Sequence, residues 1–184
     1  MYGYGYYGYG MDPTVLLLVI GMILSLAASA KLKSTFAVYK KVRNHSGITG
    51  AEAAHECGHA IQDATNYAPL NIRSAIVPAA NIGSQLSWPL FIAGLIFSIH
   101  PLVTLGIALF SLAVLFQLVT LPVEINASSR ALTMLETTGI LGTDEKKGAR
   151  KVLTAAALTY VAALASSILQ LLRLIILAGG RDRD

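Results

Sequence analysis

Two histidines and a glutamate stand close together in the chain, in the order His55-Glu56-x-x-His59. Residues four apart on an α-helix share one face, so the imidazoles of His55 and His59 can bind a single Zn²⁺ ion. Glu56 flanks that ion without ligating it and is placed to take a proton from a zinc-bound water. The spacing therefore predicts a metal-dependent hydrolase. The alternative is two unrelated polar residues on a packed or exposed helix.

The surrounding residues predict that this motif lies in a helix over about residues 50–64. Thr49 and Glu52 have the spacing of a capping box. In this motif the side chain of each residue accepts a hydrogen bond from the backbone N–H of the other. The segment between them and the motif is rich in alanine, the strongest helix former. Asn66 and Pro69 supply a stop.

The composition predicts one membrane-embedded domain over residues 1–184. Hydrophobic residues make up 54% of the chain and charged residues 13%, against about 25% charged in soluble domains. The net charge is +4, but no basic patch with interleaved aromatics suggests nucleic-acid binding. Cys57 is the sole cysteine, which excludes an intrachain disulfide. It points about 200° away from His55 on a helix, so we interpret it as a small packing residue.

The uncharged stretches predict an all-α integral membrane protein with about four transmembrane helices. About 17–25 apolar residues cross a bilayer as a helix. The predicted spans lie at about residues 13–30, 83–99, 102–121 and 152–177. A cleaved signal peptide is the alternative for the first span, but its basic residues follow the apolar run instead of preceding it.

The basic residues predict the orientation of these spans. Residues 31–73 and 124–151 hold most of the lysines and arginines, which places both segments in the cytoplasm and both termini outside. The first segment would contain an interfacial helix over 31–48 and, after the motif helix, a linker with Pro69, Arg73 and Pro78. His100 would then lie at the opposite membrane surface from the motif.

A catalytic zinc needs a third protein ligand on the motif's side of the membrane. Glu124 stands out because it follows the third predicted span directly. An ordinary interfacial charge is an equally good interpretation of that residue from the pattern alone. The candidates on this side of the membrane are Glu124, Glu136, Asp144, Glu145 and His45.

Several segments closely resemble the YugP-like family of membrane-embedded neutral zinc metallopeptidases, and more distantly the HtpX-like membrane proteases. The resemblance implies a zinc site made by His55, His59 and Glu124. It also implies peptide or membrane-protein substrates. The matching segments are Asp12–Thr14, Ala54–Ala64, Tyr67–Leu70, Arg73-Ser74, Pro78, Asn81–Ser84, Phe116–Glu124 and Ala155–Ala162.

The chain departs from that family in two places. Several tens of residues that relatives carry between the Ser46–Glu52 segment and the zinc helix are missing, and they include a region that could hold a peptide as an added strand. Asn126 stands where an acidic residue is expected to support a ligating histidine. An asparagine can still accept a hydrogen bond there, without charge.

We therefore predict a zinc endopeptidase in the inner or plasma membrane, with its active site facing the cytoplasm and Glu56 as general base. Arg130 and Tyr67 are candidate oxyanion donors, and Asp63 either supports the site or is solvated. One alternative is a zinc-binding scaffold that has lost peptide binding. A transporter is disfavoured because residues 74–123 carry no acidic or basic side chain apart from His100. The sequence does not specify the oligomeric state.

Overall fold

The computed structural model describes residues 12–39, 50–139 and 142–181. All regular structure within these ranges is helical, which confirms the all-α fold class. The helices are α1 (Val15–Tyr39), α2 (Gly50–Ala64), α3 (Ala68–Ile96), α4 (His100–Thr137) and α5 (Thr143–Arg181).

Helix α4 is the centre of the structure. Helices α3 and α5 both pack along it, α1 packs along α5, and the short α2 lies mainly against α4 with a smaller contact to α5. Helix α4 therefore contacts three other helices, α2, α3 and α5.

Three helices of the described residues are long and apolar enough to cross a membrane: Val15–Tyr39, His100–Thr137 and Asp144–Gly179. They expose many large aliphatic side chains, such as Leu16 and Leu26, as expected for surfaces that contact lipid. Helix α3 is not among the three. The fourth crossing, expected over residues 83–99, stays a prediction.

The long helices extend well beyond the apolar stretches. Helix α1 continues past Lys31 and Lys33 to Tyr39, and α4 continues through Pro122 to Thr137. A helix satisfies its own backbone hydrogen bonds, so leaving an apolar environment does not end it. The polar segment after the third predicted span is consequently helical, and Glu124 lies inside α4.

The residues expected to form a linker with Pro69, Arg73 and Pro78 are instead the first turns of α3. This expectation was wrong because Pro69 occupies the first turn, where a missing N–H costs nothing. Pro78 lies inside the helix, where neighbouring groups can compensate for one lost hydrogen bond.

Two tight turns connect the helices. After α2, which ends at Ala64, Asn66 adopts φ 49°, and this left-handed residue reverses the chain before α3. Between α3 and α4, Ser98 adopts φ 54° and the Ile99 N–H donates to the Gly94 carbonyl, at the junction of the spans predicted over residues 83–99 and 102–121. Thr49, the expected N-cap of α2, lies outside the described residues.

Candidate metal centre

Helix α2 reaches α4 through small side chains. Its buried face carries Ala51, Ala54 and Gly58, residues spaced at helical intervals. Gly58 lies so close to Ala127 of α4 that a Cβ atom there would overlap the Ala127 carbonyl group. This close approach brings the adjacent face of α2, which bears the two histidines, over Glu124.

Three potential ligand atoms converge between these helices. The Nε2 atoms of His55 and His59 lie 3.1 Å and 3.6 Å from Oε2 of Glu124, and the three ligating atoms lie within 4.8 Å of one another. A tetrahedral Zn²⁺ with bonds of about 2.0–2.1 Å holds its ligand atoms about 3.3–3.4 Å apart. The donor set and its spacing therefore fit a zinc ion.

Gln62 orients the ring of His59. Its Oε1 lies 2.9 Å from His59 Nδ1, and its Nε2 donates to the Val123 carbonyl at 2.8 Å and to Asn126 Oδ1 at 3.1 Å. A carbonyl can only accept, so the Val123 contact fixes which end of the amide faces the ring. His59 Nδ1 therefore donates to Gln62, which leaves Nε2 as the nitrogen that can bind a metal. Gln62 is fully buried.

Ser128 contacts the corresponding nitrogen of His55. Its hydroxyl lies 3.2 Å from His55 Nδ1, and its oxygen can accept a hydrogen bond from the Nδ1–H group when Nε2 binds a metal. The two rings stand nearly perpendicular, at 84°, with centroids 4.7 Å apart. Both histidines thus have their Nδ1 atoms engaged by the protein and their Nε2 atoms directed at one point.

The carboxylate of Glu124 is almost completely buried, with 4% of the side chain exposed. Its second oxygen, Oε1, lies 3.2 Å from a guanidinium nitrogen of Arg73 in α3. The Tyr160 side chain of α5 lies close enough to act electrostatically on this carboxylate. Four helices therefore contribute to the environment of one buried acid.

The sequence of the chain matches a family of zinc peptidases. Residues 51–179 match the family model described as "Putative neutral zinc metallopeptidase". The chain belongs to this metallopeptidase family. It is also 36% identical to the "Putative membrane protease YugP" of Bacillus subtilis (strain 168), over an alignment that covers 92% of this chain and 99% of that protein. The family resemblance of the sequence is thereby confirmed, and membership in a zinc peptidase family implies zinc. No solved structure matches the chain.

The alignment with this relative also bears on the segment expected to be missing. It extends over 222 positions, although it covers only 92% of a 184-residue chain. The Bacillus protein therefore carries several tens of residues without a counterpart in this member of the family. The match to the family model covers residues 51–179, so His55, His59 and Glu124 all lie within the matched part.

The general base expected for this metallopeptidase, Glu56, is exposed on α2 next to His55. The Tyr160 side chain of α5 is also exposed. The two expected oxyanion donors, Arg130 and Tyr67, contact each other, and Arg130 also contacts Asn126. The Arg130 guanidinium lies 5.7 Å from the centre of the Tyr67 ring, and its Nε donates to Asn126 at 2.8 Å.

Asn126 and Asp63 differ in how they relate to the two histidines. Asn126 accepts from Gln62 and Arg130, so it supports His59 through Gln62 instead of directly. Asp63 is exposed, and none of the contacts given above for the two histidines or Glu124 involves it. The solvated interpretation of Asp63 is therefore the better one.

The other candidate ligands have different partners. Glu136 pairs with Arg150 at 3.1 Å and Asp144 with Lys147 at 3.3 Å, while Glu145 accepts from the Gly142 N–H at 2.8 Å. His45 lies outside the described residues.

Cys57 is exposed, so the interpretation of this residue as a packing residue was wrong. Helix α2 packs through its alanine and glycine face, and Cys57 lies off that face. It does not belong to the metal-ligating group that the described residues form.

Sequence analysis missed four residues that contact the ligand set. Gln62 and Ser128 follow His59 and Glu124 by three and four residues, and helical spacing alone could have indicated them. Arg73 and Tyr160 come from separate helices. No local signal identifies them, because only the packing of α3 and α5 on α4 brings them to Glu124.

Proposed function

We propose that this chain is a zinc-dependent membrane endopeptidase in which His55, His59 and Glu124 hold the ion. The observation that carries the proposal is the convergence of the two Nε2 atoms on Glu124 Oε2, at 3.1 Å and 3.6 Å, with both Nδ1 atoms already engaged by the protein. This arrangement prepares neutral imidazoles for a metal, as zinc peptidases require.

The bound zinc would supply Lewis acidity that lowers the pKa of a water molecule and polarises the peptide carbonyl. Glu56 would take up a proton from the water as its oxygen attacks the carbonyl carbon. It then passes the proton to the amine as the C–N bond breaks, so no proton is gained or lost overall. Glu56 suits this role because it is exposed beside His55 and its side chain contributes no ligand to the metal-binding group.

The proposed substrate is a peptide or membrane protein cleaved at the cytoplasmic surface of the cell membrane. The concentration of basic residues on the segments flanking the site supports this orientation. Glu124 lies within α4, one of the three helices able to span a membrane. A substrate would therefore reach the ion near the end of the membrane-embedded part.

A second candidate function is a zinc-binding scaffold without hydrolytic activity. The observation that favours it is the length of the aligned Bacillus relative, which carries several tens of residues that are missing here. If those residues bind the peptide, the metal centre would persist without turnover.

The metal content of detergent-purified protein tests the ligand set. We expect one zinc per chain in the parent protein and its loss or marked weakening in both His59→Ala and Glu124→Gln. Unchanged zinc binding in Glu124→Gln would place the third ligand elsewhere. A parent protein that takes up no zinc after loading would overturn the enzyme proposal.

Hydrolysis of an unfolded protein substrate such as casein separates the two functions. Glu56→Gln should keep the zinc and lose hydrolysis by at least about 100-fold, the contribution of a general base. Asp63→Asn is the matched control, since it converts an exposed carboxylate of the same helix into an amide without touching the ligands. Stoichiometric zinc with no hydrolysis in the parent would favour the scaffold.

A further inference from the structure

We propose that Arg73 is a positioning residue that fixes the Glu124 carboxylate so that a single oxygen faces the metal. The inference rests on the zinc site proposed above and extends it to a residue of a third helix. It assigns Glu124 as a ligand through Oε2 alone, with Oε1 retained by the protein.

The two oxygens of this carboxylate have separate partners. Oε2 faces both histidines, at 3.1 Å and 3.6 Å, whereas Oε1 lies 3.2 Å from a guanidinium nitrogen of Arg73. A carboxylate can offer either one or both oxygens to a metal. The guanidinium occupies the oxygen that a bidentate contact would need, and it leaves the remaining coordination positions open to water and substrate.

Burial makes this contact a strong constraint. The side chain of Glu124 is 4% exposed, and that of Arg73 is 30% exposed. A buried carboxylate is costly unless it is paired, and an arginine remains charged at any accessible pH and donates in a fixed planar geometry. Arg73 can therefore hold the orientation of the carboxylate as well as compensate its charge.

The same pair makes the metal centre depend on α3. The histidines come from α2 and Glu124 from α4, while Arg73 lies in the second turn of α3. Helix α3 packs along α4, so the position of its first turns decides whether the guanidinium reaches Oε1. The inference therefore predicts that replacing Arg73 changes the coordination of the metal, although Arg73 does not ligate it.

The experiment compares Arg73→Gln and Arg73→Lys with the parent protein, in detergent, by zinc titration. Removing a group that holds a metal ligand in place typically weakens metal binding about 10–100-fold, and we expect a loss of that size for Arg73→Gln. Arg73→Lys restores the charge but not the planar fork, so its affinity should lie between those of Arg73→Gln and the parent. If charge compensation were the whole role, Arg73→Lys would bind zinc as tightly as the parent.

Arg150→Gln is the matched control. It breaks an arginine–glutamate pair of similar length, 3.1 Å, in which both side chains are more than half exposed and neither contacts a proposed ligand. We expect it to bind zinc with the parent's affinity.

Cobalt substitution provides a readout that a merely structural role would not change. The visible absorption of Co²⁺ is more intense in four-coordinate sites than in five-coordinate ones. The parent should give the intense spectrum. Both Arg73 variants should lose intensity, because the released Oε1 can join the coordination shell.

The outcomes separate this inference from the proposed function. A parent that binds neither zinc nor cobalt overturns both. A parent that binds zinc, with Arg73→Lys matching it in affinity and in cobalt spectrum, overturns the positioning role alone. Should Arg73→Gln fail to fold, Arg73→Lys decides the question by the same two measurements.

Discussion

Gly58 lies directly against the backbone carbonyl of Ala127, without room for a side chain between the two helices. Ala127 is completely buried at this crossing. It comes three residues after Glu124, just as Gly58 comes between the two histidines of the motif. The closest approach of α2 to α4 thus coincides with the place where His55, His59 and Glu124 meet, so the interhelical distance sets the size of the proposed metal centre.

Gly58→Ala should therefore enlarge the centre. Overpacking of a tight contact costs about 1–3 kcal/mol, and the displacement of α2 would move both histidines away from Glu124. We expect zinc affinity to fall at least tenfold and the unfolding temperature to decrease, measured by zinc titration and thermal unfolding in detergent. Gly50→Ala is the control, because a Cβ at the start of the same helix meets no neighbour within 4 Å. Parent-like zinc affinity in Gly58→Ala would contradict this account.

Gln62→Leu should weaken zinc binding about 10–100-fold, because His59 Nδ1 loses its acceptor and the Val123 carbonyl loses its donor. Unsatisfied buried groups also lower the free energy of unfolding by about 1–3 kcal/mol. Gln62→Glu keeps an acceptor for the imidazole and should recover part of the zinc affinity. Replacement of the exposed Gln85 by leucine should change neither quantity. Equal zinc binding by Gln62→Leu and the parent would show that the ring is oriented by other contacts.

Removal of the metal should destabilise the fold. A ligand that binds the native state alone at about 100 times its dissociation constant adds about 2.7 kcal/mol to the free energy of unfolding. Treatment with a chelator should lower the unfolding temperature of the parent, and added zinc should restore it. In Glu124→Gln the same treatment should cause little change. A parent whose unfolding temperature does not respond to zinc would contradict a site that links α2 with α4.

Cys57 offers a direct test of orientation. It is the sole cysteine of the chain and is exposed on α2, so a membrane-impermeant maleimide should label it from the cytoplasmic side only. Moving the thiol to the α3–α4 hairpin, with Cys57→Ser and Ser98→Cys, should reverse the side of labelling if α3 crosses the membrane. Labelling of both positions from the same side would overturn the predicted fourth crossing.

The sequence by itself determined the helical class, the membrane setting and the family. Apolar runs long enough to cross a bilayer specify helices, because backbone groups in lipid must be paired within their own segment. The spacing of His55 and His59 on one helix is likewise local. Helical periodicity places them on one face whatever the rest of the chain does.

Tertiary structure decided which side chains lie against that face of α2. Glu124 was one of several candidate ligands by pattern. Among the candidates that the structure describes, it is the one that lies against both histidines, because α2 packs on α4 through Gly58. The sequence also suggested a linker where α3 begins, and that first part of α3 supplies Arg73. Contacts such as Arg73 with Glu124 join helices distant in sequence. They arise because three helices, α2, α3 and α5, pack on α4, and a local sequence pattern does not predict that packing.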